Sequence, residues 1–157
     1  MTRLNEARQH GFTLIEMVCV IALIALMAAV LLPFLPQHTS RARLQAYALE
    51  AATLLKADRN AAVGRRADVA TLVDPPSRTI RSGATAQRLR IPDDVRFDAL
   101  LPQTCRRHAV LSTISFFADG MSCGGTIALA RLDTTYEIRV NWLTARIEIV
   151  DRSTRSN

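Results

Sequence analysis

Gly11-Phe12-Thr13-Leu14-Ile15-Glu16, followed by an uncharged apolar run to Leu35, decides how the rest of this chain is read. A carboxylate sits five residues into an otherwise lipid-compatible helix, directly behind a short leader. At bilayer depth an ionised carboxylate costs roughly 2.5 to 3.5 kcal/mol on insertion scales, so Glu16 wants a partner. The nearest candidate charge is a new α-amino group, created if the chain is cut between Gly11 and Phe12. A helix cannot easily bring its own first amine onto its fifth side chain, whereas a neighbouring copy can. The stretch therefore points to a membrane subunit that stacks with others.

Working outward, residues 1–11 carry Arg3 and Arg8 against Glu6 and read as a leader that stays cytoplasmic under the positive-inside rule. An ordinary secretory signal, cut among the small residues Ala22 to Ala29, is the rival. Against it, the apolar segment is longer than a signal core and Glu16 would lie inside that core. A helix from Phe12 to Pro33 would be about 33 Å long, enough to cross the hydrocarbon layer. Ala22, Ala25 and Ala29 fall on one side of it, where small residues let helices approach closely. A plain anchor that happens to contain alanines explains the stripe but not Glu16. Pro33 and Pro36 each remove an amide donor, so a kink or loosened turn is expected there.

An amphipathic helix is expected over 37–64. Leu44, Tyr47, Ala48, Ala51, Leu55 and Ala62 recur at helical spacing, with Gly64 as a left-handed stop before Arg65 and Arg66. Beyond Arg66 the period changes to that of strands, over 68–73, 78–81, 88–91, 95–97, 110–117, 126–132, 135–142 and 146–150. In the 135–142 strand, Tyr136, Ile138, Val140 and Trp142 alternate with Glu137, Arg139 and Asn141, the pattern of a half-buried strand. The stretch around Pro102 to Arg107 reads as irregular, and the polar tail after Asp151 as frayed.

At 157 residues there is room for one domain and a membrane helix. The net charge of +6 is almost wholly arginine, Lys56 being the only lysine. Such a balance permits contact with nucleic acid or anionic lipid, and it equally describes a solvated surface. Cys19 lies in the apolar run as a small hydrophobe. In an oxidising compartment Cys105 and Cys123 could form a disulfide, and sequence leaves free thiols equally open. Cys105 and His108 with Cys123 lack a fourth ligand for zinc, and Asp93, Asp94 and Asp98 lack a calcium-loop pattern. No metal site, cofactor or catalytic constellation emerges, and the expected protein is not an enzyme.

Two blocks carry a family resemblance. The Gly11 to Glu16 stretch and the apolar run after it resemble the N-terminal signature of type IV pilins and type II secretion pseudopilins. Phe116-Phe117-Ala118-Asp119-Gly120 with Gly124-Gly125, then Asn141-Trp142-Leu143-Thr144, resemble the Phe-Pro-Asp-Gly, Gly-Gly hairpin and the Asn-Trp-Leu-Thr turn of the GspH (type II secretion protein H) and FimT branch of minor pseudopilins. Ala118 stands where that branch often has proline, and residues 65–111 match nothing in it.

The resemblance implies an α+β, pilin-like fold. A long N-terminal α-helix, transmembrane and then amphipathic, would pack on an antiparallel β-sheet head. The expected segments are 1–11 as prepilin leader, 12–36 as transmembrane and assembly helix, 37–64 as amphipathic helix and 65–157 as periplasmic head. It also implies cleavage by a prepilin peptidase between Gly11 and Phe12, N-methylation of Phe12, and a charge pair between Glu16 and Phe12 of adjacent subunits. The segment at Pro33 and Pro36 would be one that can unwind in the fibre. The expected protein is a minor pseudopilin of the type II secretion system in the inner membrane, N-terminus cytoplasmic, whose partners are the major and tip pseudopilins and the surrounding lipid. The alternative is a FimT-like minor type IV pilin that captures DNA through Arg65-Arg66, Arg78-Arg81-Arg88-Arg90 and Arg152-Arg155. Aromatic residues are only 5% of the chain, so phosphate contacts would carry that binding without base stacking.

Overall fold

Thr13 opens the first helix, α1 (Leu14–Leu31), by accepting the Glu16 N–H on its hydroxyl at 3.3 Å and on its carbonyl at 3.1 Å. That is the N-cap role for which threonine is suited, and it leaves Glu16 in the first turn, where a helix favours negative charge. The computed structural model describes residues 13–31, 38–106 and 108–153. The chain divides into two compact units, Met1–Gln37 and His38–Asn157, and α1 belongs to the first. From Leu14 to Met27 its large apolar side chains are exposed on every side, so it has no polar face to give to water. Among the described residues no helix is long and apolar enough to cross a membrane. The 18 residues of α1 span about 27 Å at 1.5 Å per residue, and the remainder of the expected span lies outside the described residues.

The second unit is built on α2 (Arg41–Arg65), capped by Ser40, whose hydroxyl accepts the Arg43 N–H. Its buried face runs through Leu44, Ala48, Ala51, Leu55, Asp58 and Ala62, a continuous stripe at intervals of three and four. The expected stop at Gly64 is corrected. The helix runs on through Arg65, and Arg66 takes the left-handed conformation at φ 51°. The amides of Arg66 and Ala67 close onto the carbonyls of Val63 and Ala62. These paired bonds offset the roughly 1 kcal/mol that a left-handed non-glycine costs.

Among the described residues ten strands follow, arranged in two four-stranded antiparallel sheets and a small hairpin. The first sheet has the order β3 (Arg88–Arg90), β2 (Thr79–Arg81), β1 (Val69–Asp74), β7 (Thr113–Phe116). The second has the order β10 (Ile147–Asp151), β9 (Thr134–Val140), β8 (Gly125–Arg131), β4 (Arg96–Leu100). The hairpin pairs β5 (Thr104–Cys105) with β6 (His108–Ala109), inside a stretch expected to be irregular. Alternation sets the inward face of each sheet: Val69, Thr71 and Val73 on β1, Ile127 and Leu129 on β8, Tyr136, Ile138 and Val140 on β9. Helix α2 contacts β1 and β7 of one sheet and β8, β9 and β10 of the other, so both sheets share one apolar core with it.

Three further expectations are corrected. Trp142 does not continue the inward alternation and is 61% exposed. The strand ends at Val140 because the Asn141 side chain accepts the amides of Leu143 and Thr144, turning the chain. The Phe116 to Gly125 block is not a hairpin between β7 and β8, since those strands lie in different sheets. It is a tight turn, Gly120 N–H to Phe117 carbonyl, followed by a crossing in which the Cys123 amide bonds Ser115 of the first sheet and the Ser122 amide bonds Trp142 beside the second. The strand expected over 110–117 begins only at Thr113, because Ser112 at φ 57° interrupts an extended path.

Candidate assembly site

The residues expected to direct assembly lie at the chain's start. Gly11, Phe12, Pro33 and Pro36 lie outside the described residues. Glu16 is described: it is exposed, in the first turn of α1, and no cation pairs with it among the described residues. Ala22, Ala25 and Ala29 lie on the same helix, exposed along with its apolar side chains. What this helix presents is a single carboxylate at the head of an apolar cylinder with no polar face.

Where α2 begins, Thr39 fastens it to the rest of the head. Thr39, just ahead of the Ser40 cap, donates its amide to Asp94 at 2.6 Å and its hydroxyl at 2.8 Å, and Arg131 bonds the same carboxylate at 3.0 Å. The Thr39 amide and hydroxyl, and then Arg131, hold the Asp94 carboxyl below the usual aspartate range. Further along, Asp58 is fully buried. Its carboxylate accepts from the hydroxyls of Thr71 and Ser82 and from the amides of Gly83 (3.0 Å) and Ala84 (3.2 Å). This set joins α2 to β1 and to the loop after β2. Gly83 permits the close approach, since a Cβ there would lie 2.2 Å from the Ala70 carbonyl oxygen. Sequence reasoning passed over Asp58. The signal was an acid at the spacing of the buried stripe, midway between Leu55 and Ala62.

Cys105 and Cys123 are joined in a disulfide with Cα atoms 5.7 Å apart, tying the β5–β6 hairpin to the crossing between sheets. The Arg106 guanidinium lies 3.7 Å over the Phe117 ring and pairs with Asp119. The Asp119 carboxyl is held low first by the Met121 amide and then by Arg106. Bonded as a disulfide, the two cysteines present no thiolates to a metal. The three acids weighed for calcium are each engaged by arginine: Asp93 with Arg78, Asp94 with Arg131, Asp98 with Arg96.

The basic residues weighed for nucleic acid separate into two kinds. Arg78 is corrected from a strand to a turn position at φ 56°. Its guanidinium serves the carbonyls of Ile91, Pro92 and Val95 and faces Asp93. Arg152 faces Glu137, Arg65 reaches the Ala84 carbonyl, and Arg155 lies outside the described residues. Arg81, Arg88 and Arg90 stay exposed on the β2–β3 edge, with Arg81 directly opposite Arg88. Such like-charged neighbours are unfavourable without an anion between them.

Comparison with known proteins supplies the rest. The prokaryotic N-terminal methylation motif matches residues 7–32. Over 139 residues the chain is 31% identical to "Type II secretion system protein H" of Xanthomonas campestris, covering 88% of this chain and 81% of the relative. Among solved structures it is similar to the type IV minor pilin FimU of Pseudomonas aeruginosa, with a TM-score of 0.54 and 16% identity, over 71% of this chain and 91% of that one. The minor pseudopilin EpsH of Vibrio cholerae aligns with a TM-score of 0.49 and 9% identity, over 72% of this chain and 97% of that one.

Proposed function

The chain belongs to the type II secretion system protein H family of minor pseudopilins, and from that premise we propose that it works as a fibre subunit whose assembly is directed by Glu16. In this reading a prepilin peptidase cuts between Gly11 and Phe12 and methylates the Phe12 amine. Glu16 of one subunit then meets the Phe12 amine of a neighbouring pseudopilin. For charges about 4 Å apart at an effective dielectric near 20, the attraction is of order 4 kcal/mol, comparable with the cost of placing the carboxylate in lipid. An isolated subunit is then tolerable in the membrane and an assembled one is better.

The observation that carries the proposal is the position of Glu16: exposed, at the head of an apolar helix, with no cation beside it among the described residues. Segment 12–36 would cross the inner membrane with the leader on the cytoplasmic side. The head would stand in the periplasm against the major and tip pseudopilins and help drive protein export across the outer membrane. Pro33 and Pro36 would give the helix its bend. The role is structural and asks no chemistry of the head. Intact mass of the membrane-extracted protein tests processing: loss of residues 1–11 with one added methyl supports it, and a chain still starting at Met1 removes it.

A second reading, capture of duplex DNA, is favoured only by Arg81, Arg88 and Arg90, which have no carboxylate partner among the described residues. Binding that weakens steeply with salt and is lost in the triple Arg81→Gln, Arg88→Gln, Arg90→Gln variant would support it. No binding at low salt would end it.

A further inference from the structure

An open groove of about 1180 Å³ lies between α2 and the β9–β10 turn. Lys56 and Arg59 line it from α2, Arg139 and Trp142 from the end of β9, and Arg146 and Glu148 from the start of β10. Four cations therefore face one carboxylate. Arg139 is engaged by Glu137 at 2.6 Å and Arg146 by Glu148 at 2.7 Å. Lys56 and Arg59 have no carboxylate partner among the described residues. Arg59 is the telling one. One terminal nitrogen reaches the Thr144 carbonyl at a long 3.4 Å, while its Nε is buried and makes no hydrogen bond among the described residues. The Arg59 side chain is half-buried and only partly hydrated, and a carboxylate is the group whose two oxygens match the guanidinium fork. On the rim Trp142 is 61% exposed, an aromatic of the kind that anchors protein interfaces.

We infer that this groove receives an acidic segment of a partner protein, a carboxylate seating on Arg59 and Lys56 and an apolar side chain covering Trp142. The inference rests on the fibre-subunit reading, which places other proteins beside the head. Charge complementarity selects the occupant. A second copy of this chain would bring its own net charge of +6 to a cationic groove and be repelled. Nucleic acid would meet Glu148 in the lining and find one ring to stack on.

Trp142 is the chain's single tryptophan, so its emission reports on the groove directly. The full chain in detergent micelles is titrated with a decapeptide of glutamate and glycine carrying one phenylalanine, and with its glutamine counterpart. The glutamate peptide should give a saturable emission change that added salt weakens. Its affinity should fall at least tenfold in Arg59→Gln and in Lys56→Glu, the latter an exposed position that keeps the fold. An equal response to the glutamine peptide overturns the inference, as does undiminished binding in Lys56→Glu, or duplex DNA binding there more tightly than the peptide. Fibre incorporation is measured separately. A chain that still assembles but ignores the peptide overturns the groove alone.

Discussion

Asp58 and Asp94 show how much of this head depends on single carboxylates. Asp58 has four donors aimed at it from β1 and the loop after β2. Asp58→Ala would leave buried donors without acceptors, so unfolding in urea should show a loss of at least about 3 kcal/mol. An unchanged midpoint and slope would deny Asp58 that place. Asp94 acts differently, through titration. Its carboxyl is held low in the folded chain, as are Asp119 and Asp151, the last chiefly by the Ser153 hydroxyl and amide and then Arg41. A depressed folded pKa contributes stability that is present above the ordinary carboxylate range and lost as pH falls through and below it, under about pH 4. The melting temperature should therefore drop on acidification, and Asp94→Asn should lower it at neutral pH while flattening the acid limb. A variant whose acid limb matches the unmodified chain would contradict the Thr39–Asp94–Arg131 contact.

Among the elements, the helices were the more legible. The stripe of Leu44, Ala48, Ala51, Leu55 and Ala62 announces α2 because helical neighbours are close in sequence. Asp58 hid because its partners, Thr71 and Ser82, come from β1 and beyond, and nothing local says that a carboxylate there will be met. Strand existence was readable and strand pairing was not. β1 pairs with β7 across more than forty residues, Val69 opposite Phe116, and no local pattern encodes that register. Trp142 was misplaced because alternation alone cannot see the Asn141 turn that ends β9. The family blocks marked where the chain turns without revealing that the first is a crossing between sheets. The disulfide belongs to this scale too. It closes a sequence separation of 18, which the chain-entropy model values at about 3 kcal/mol. Reduction, or the paired Cys105→Ser and Cys123→Ser variant, should lower stability by about that amount with the sheets retained by circular dichroism. No change on reduction would mean that the hairpin is held by Arg106 and its contacts with Phe117 and Asp119 alone.

At the scale of the molecule, the sequence joins an apolar helix headed by one acid to a domain whose two sheets share a core with α2. In the second unit buried Asp58 and partly exposed Asp94 each find their donors within the head, whereas Glu16 has no such partner among the described residues and would find one only on another subunit. Glu16→Gln removes the charge and keeps the shape, so it should lower the cost of inserting the helix while abolishing the attraction between subunits. The direct measurement is the fraction of the chain recovered in sheared fibres, relative to the amount in the inner membrane, for the Glu16→Gln variant and the unmodified protein. A fall of at least tenfold in the fibre fraction, with membrane levels unchanged, is the predicted result, and incorporation equal to that of the unmodified chain would contradict it.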